Sequence, residues 1–171
     1  MTGMGVPRRG LVVVFLAVVL AGSIGAGSAA AATLTPRAAL RVAINAVRVR
    51  YGLGPVRGSS LLHVVAQRHS DDMILRDYFA HTSPSGQTVR DRIIRSGFVN
   101  GYSWMGGETL AWGTGTLSGP VNTVRAWMAS PEHRAILLSS QFTRVGISRA
   151  CGHFLGHRSA CVWTADWAVR W

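Results

Sequence analysis

The chain has 171 residues, 48% of them hydrophobic, which is length enough for one domain with a real core. Its 18 basic residues are all arginine and stand against 7 acids, a formal net charge of +11. The arginines are scattered and no recognition motif accompanies them, which argues against a nucleic-acid reader; the charge suits anionic cell-wall polymers or lipid headgroups.

Arg8 and Arg9 precede an apolar run from Leu11 to Leu20, and small residues follow through Ala32. A basic start, an apolar stretch and an Ala-x-Ala end define a secretory signal peptide over residues 1–32, cleaved after Ala32. The apolar run is short for a membrane span, and no later segment is longer, so no transmembrane segment is expected after cleavage. The remaining residues, 33–171, are expected to form one secreted domain with a charge of +9.

Thr35-Pro36 opens a helix carrying Leu40, Ile44, Val47 and Tyr51 at helical spacing, stopped by Gly52 and Gly54. Ser59 or Ser60 caps a second helix reaching about Asp77, with Leu62, Val65, Ala66, His69, Met73 and Leu75 on one face. Tyr78-Phe79-Ala80-His81 leads into the turn Ser83-Pro84-Ser85-Gly86. A short helix from Thr88 to Ser96 follows, then an irregular glycine-rich loop over 98–107, then a short strand or loop edge at Glu108–Trp112. Another helix is expected over Pro120–Ala129, and Ser130-Pro131 caps a helical turn from Glu132 to Leu138.

The period then changes. Phe142–Arg149 reads as a strand, and Trp163, Ala165, Trp167, Val169 and Trp171 alternate with Thr164, Asp166, Ala168 and Arg170 as in a half-buried strand. Cys151 and Cys161, the only cysteines, are expected to form a disulfide closing this antiparallel hairpin. Helices first and strands last imply an α+β domain.

Six segments in this order resemble the CAP superfamily, also called SCP, in its compact bacterial secreted form. They are Ala66–Met73, Tyr78–Gly86, Gly107–Ala111, Trp127–Leu137, Phe142–Ile147 and Trp163–Asp166. The resemblance implies an α-β-α sandwich, with a small antiparallel sheet between helical layers and an open cleft lined by two histidines and two acids. His81 and Glu108 match the first histidine and first acid, and His133 matches the second histidine. The second acid falls nearest Ser130, which is not acidic, although Glu132 is close by; Thr109 stands where asparagine is common, and Glu132 where glycine is.

His81, Glu108 and His133 offer two nitrogens and one oxygen to zinc or another divalent cation, with a position left for water. The competing reading makes the same trio a hydrogen-bonded brace between loops, and the brace or a weakly held metal ranks ahead of hydrolysis. For a serine-type hydrolase the candidate hydroxyls are Thr82, Ser83 and Ser130, without a Gly-x-Ser-x-Gly elbow; the metalloprotease motif His-Glu-x-x-His is also missing. His69 reads as a core or cleft-edge residue, and His63, His153 and His157 as surface or loop residues. The Trp163/Trp167/Trp171 stripe reads as core, whereas Trp104 and Trp112 are placed to meet a ligand. Glu132 also suits the N-terminus of its own helical turn. The leading expectation is a binding or interaction module outside the cell or at its envelope, for a lipid, a wall polymer or a protein. The alternative is a metal-dependent or serine-type hydrolase in the same cleft.

Overall fold

The computed structural model describes residues 34–171. The proposed signal peptide, 1–32, lies outside these residues. Five α-helices and four strands follow in the order α1 (Pro36–Arg50), β1 (Arg57–Gly58), α2 (Ser60–Arg76), α3 (Val89–Arg95), β2 (Trp104–Thr114), α4 (Pro120–Ala129), α5 (Pro131–Leu137), β3 (Arg144–Phe154) and β4 (His157–Arg170). A 3-10 turn over Gly115–Ser118 links β2 to α4.

Local chemistry sets the helix starts. Thr35 accepts from the Ala38 amide ahead of Pro36, and Ser59 accepts from Leu62, so each cap satisfies an N–H that the first turn leaves free. Thr88 and Asp91 cap each other reciprocally at the start of α3. Ser130 ends α4 and begins α5, but its side chain makes no capping bond.

The sheet runs in the order β1-β3-β4-β2. β4 pairs antiparallel with both β2 and β3, whereas β1 adds two residues parallel to β3, so the sheet is mixed rather than wholly antiparallel. β2 begins at Trp104, inside the stretch expected to be loop. Its Gly106 and Gly107 pair with Ala168 and Trp167, and the ladder outweighs the low strand preference of glycine.

Directly opposed residues point to the same face of an antiparallel sheet. One face carries Val145, Ile147, Trp163, Ala165 and Trp167, buried with Leu40 and Ile44 of α1, Val124 and Trp127 of α4, and Leu137 of α5. The other face lies under α2 and is partly polar: Ser70 donates to Thr164, and Ser148 donates to the Ala66 carbonyl. Residues 160–168 are therefore buried on both faces, not alternately as expected, because helices cover the central strand from each side. Trp171 lies beyond β4 and is exposed, so it leaves the expected stripe; Leu75 is 84% exposed and does not join the buried face of α2.

Two anchors matter for the site. Buried Arg48 ties α1 to the α5–β3 connection by donating to the carbonyls of Gly54, Leu137, Ser139 and Phe142. Cys151 and Cys161 are bonded across opposed positions of β3 and β4, as the hairpin reading requires. Closing so short a loop stabilises by roughly 2–3 kcal/mol in the chain-entropy picture.

Candidate functional site

Strand pairing places Glu108 of β2 directly opposite Asp166 of β4, and Asp166 opposite Gly146 of β3. This row faces α2. The Glu108 side chain has no exposed surface, and each of its oxygens is occupied: Oε1 lies 2.7 Å from His81 Nδ1, and Oε2 accepts from Arg92 Nη2 at 2.7 Å. Arg92 is 6% exposed and also donates to the carbonyls of His81 and Gln87, so α3 holds the His81 loop through its main chain.

His69, projecting from α2, completes the floor. Its Nε2 lies 2.9 Å from the Ala80 carbonyl and 3.8 Å from Glu108 Oε1. Burial lowers its pKa, with Glu108 opposing, so the ring is neutral at pH 7 and Nε2 carries the proton given to Ala80. Tyr78 donates to Asp72 at 2.6 Å beside this ring, and burial together with that bond raises its phenol well above the usual value.

His133, on α5, is half-buried, with its ring centre 6.5 Å from that of His81. Burial and then the neighbouring His81 lower its pKa. The structure thus brings His81 against Glu108 and sets His133 beside His81. Ser130 and Glu132 do not join Glu108; Glu132 is exposed in the first turn of α5.

Among the described residues no group of three or more His, Cys, Asp or Glu side chains is arranged to hold a metal. In this arrangement a guanidinium neutralises Glu108, and His81 turns Nδ1 towards the same carboxylate. Ser83, a hydrolase candidate, shares its hydroxyl with Ser85 and accepts from the Gln87 amide. Thr109 accepts from Trp167 Nε1 on the opposite face of the sheet.

Two members of the network escape a reading of the sequence. Arg92 is one of three arginines on α3, and nothing in the sequence sets it apart. Asp166 reads as the solvent side of an alternating strand, yet it is fully buried and neither oxygen has a donor. Burial first, then the Glu108 carboxylate, raises its pKa well above the ordinary carboxylate value, with Arg92 opposing. The available signal is the company it keeps: from Ala160 to Val169 only Thr164 and Asp166 are polar, too few for a wet face.

A protonated Asp166 avoids two adjacent buried anions, and this gives a pH prediction. The native state keeps a proton that the unfolded chain releases above about pH 4, so Asp166 costs stability as pH rises towards its folded pKa. Asp166→Asn keeps the shape without the titration. Its melting temperature relative to wild type is expected to rise progressively between roughly pH 5 and 8. Parallel Tm curves across that range would refute a raised pKa.

Beside the network lies an open cavity of about 540 Å³, lined by Val89, Ile93, Trp104, Met105, Gly106, Gly107, Arg90, His81 and Glu108. Trp104 lines this cavity, whereas Trp112 packs edge-on to Phe154 and against His157.

An α-β-α sandwich with an exposed histidine set on a buried glutamate beside an open cleft defines a recognisable class of domain. The chain belongs to the CAP family, described as the cysteine-rich secretory protein family, whose model matches residues 42–166. It is 32% identical over 120 residues to the uncharacterized protein YkwD of Bacillus subtilis, covering 70% of this chain and 42% of that one. It is 33% identical over 103 residues to the uncharacterized membrane protein YlbC of the same organism, covering 60% and 28%. The chain thus spans less than half the length of either relative.

Among solved structures it is similar to an outer surface protein of Borrelia burgdorferi, with a TM-score of 0.64, 20% identity, and 77% and 90% of the two chains covered. It is also similar to an extracellular SCP-domain protein of Bacillus anthracis, with a TM-score of 0.60, 27% identity, and coverage of 79% and 44%. No helix among the described residues is long and apolar enough to cross a membrane.

Proposed function

We propose that this chain is a secreted binding module whose cleft takes a ligand with an apolar body and a polar head, a lipid-class amphiphile. The observation that carries this reading is the division of labour at Glu108. Its carboxylate is spent on His81 and Arg92 as a brace, while the adjoining cavity presents Val89, Ile93, Trp104 and Met105 beside Arg90. An apolar wall with a few polar groups at one end is the usual make-up of a small-molecule site. Arg90 and the exposed edge of His81 supply the polar end. The leader-like residues 1–32, the disulfide, and relatives described as extracellular or outer-surface proteins support action outside the cell or at its envelope.

Val89 is half-buried on the cavity wall, so Val89→Trp fills the space from one side without removing any brace residue. A fluorescent long-chain fatty acid is expected to bind the wild type and to bind Val89→Trp at least about tenfold more weakly, with Tm little changed. Equal binding by both proteins would remove the amphiphile reading. Binding of a wall glycan or a protein, but not the fatty acid, would replace it with the other ligand classes. A hydrolase in this cleft requires turnover that Glu108→Gln abolishes; such turnover would overturn the binding reading.

A further inference from the structure

A second cavity, of about 410 Å³, opens between the first turns of α1 and α2 on the β1 side of the sheet. Its polar lining comprises Arg37, Arg41, His63, Thr35, Ser59 and Ser60, and no acidic side chain among the described residues lines it. Nothing in the cleft network reaches this place. Uncompensated cations gathered in a concave site raise the local potential for anions.

The cations are also held in position. His63 Nδ1 donates to the Ile147 carbonyl at 2.8 Å, and Arg37 donates through Nη1 to His63 Nε2. The imidazole expected to be a plain surface residue is therefore a support that aims one guanidinium. Arg41 is aimed differently: its Nη1 lies against Gly58, in the space that a Cβ there would take. On the far side of Gly58–Ser60 a neighbouring groove adds Arg144 and Arg170, again without an acid.

We propose that the Arg37–Arg41–His63 cavity is a binding site for a phosphate-bearing anion. Guanidinium forks match phosphate oxygens two at a time, and positioned arginines lose less entropy on binding than free ones. The cavity holds more than a bare oxyanion, so a phosphorylated group with a few attached atoms fits, either free in solution or as a phospholipid headgroup. The site shares no residue with the amphiphile cleft and does not depend on that reading.

The test uses the full chain, with inorganic phosphate and phosphatidylglycerol vesicles as probes. Arg37→Ala/Arg41→Ala is expected to weaken phosphate binding by about tenfold or more, whereas Arg50→Ala/Arg125→Ala, with the same loss of charge elsewhere, leaves it near wild type. Gly58→Ala, which displaces the Arg41 guanidinium without changing charge, is expected to weaken it as well, as is the charge-preserving Arg37→Lys/Arg41→Lys, which keeps the test open if the alanine pair does not fold. Vesicle binding that phosphate competes away assigns the headgroup as the source; phosphate binding without vesicle binding assigns a free phosphorylated solute. Absence of binding to both probes, or equal losses in the two arginine pairs, overturns the proposal. Val89→Trp should leave phosphate binding intact, which separates this site from the cleft.

Discussion

Arg92→Met is expected to destabilise the domain by about 3–5 kcal/mol, because it leaves the buried Glu108 carboxylate without its cation. The side chain that replaces it is long and flexible but uncharged, so the packing of α3 is largely kept. The carbonyls of His81 and Gln87 lose their donor at the same time, and the His81 loop is released. Urea denaturation gives the loss directly. The decisive comparison is the double variant Arg92→Met/Glu108→Gln, which removes the stranded charge and is expected to recover a substantial part of the stability. A loss below about 1 kcal/mol in the single variant would mean that Glu108 is solvated or protonated, not braced by Arg92.

Gly146→Ala is expected to be more severe, by more than about 4 kcal/mol or with failure to fold. A Cβ at this position would overlap the main chain of Leu62 and His63, and two backbones cannot yield as a flexible side chain can. The absence of a side chain in β3 is what lets α2 lie close enough for His69 to reach the Glu108 row. Gly54→Ala is the matched control: nothing lies within 4 Å of the point its Cβ would occupy, so a change within about 0.5 kcal/mol is expected. Comparable urea midpoints for the two variants would rule out the close α2–β3 approach.

Helix starts are legible because their chemistry is local: Thr35-Pro36, Ser59 and Thr88 announce themselves within four residues, and each caps the helix expected. The disulfide is legible for a similar reason, since only two cysteines exist to pair. The start of β2 is not, because Gly106 and Gly107 become strand only through partners in β4, some sixty residues later in the chain. The site divides the same way. His81, Glu108 and His133 stand out beside turns, and the first two do meet. Their partners Arg92 and Asp166 do not stand out, because what marks them is burial between layers that no stretch of sequence displays. The guanidinium on Glu108 is hidden on the same ground, since it comes from a helix that nothing in the sequence connects to it.

One of the two inner strands of the sheet is also the last of the described strands in chain order. β2 and β3 do not touch each other; β2 is joined to the sheet only through β4. Until β4 is in place, β2 therefore has no partner strand, and β3 has only the two residues of β1. Glu108 then has no Asp166 opposite it, and the cleft has no back wall.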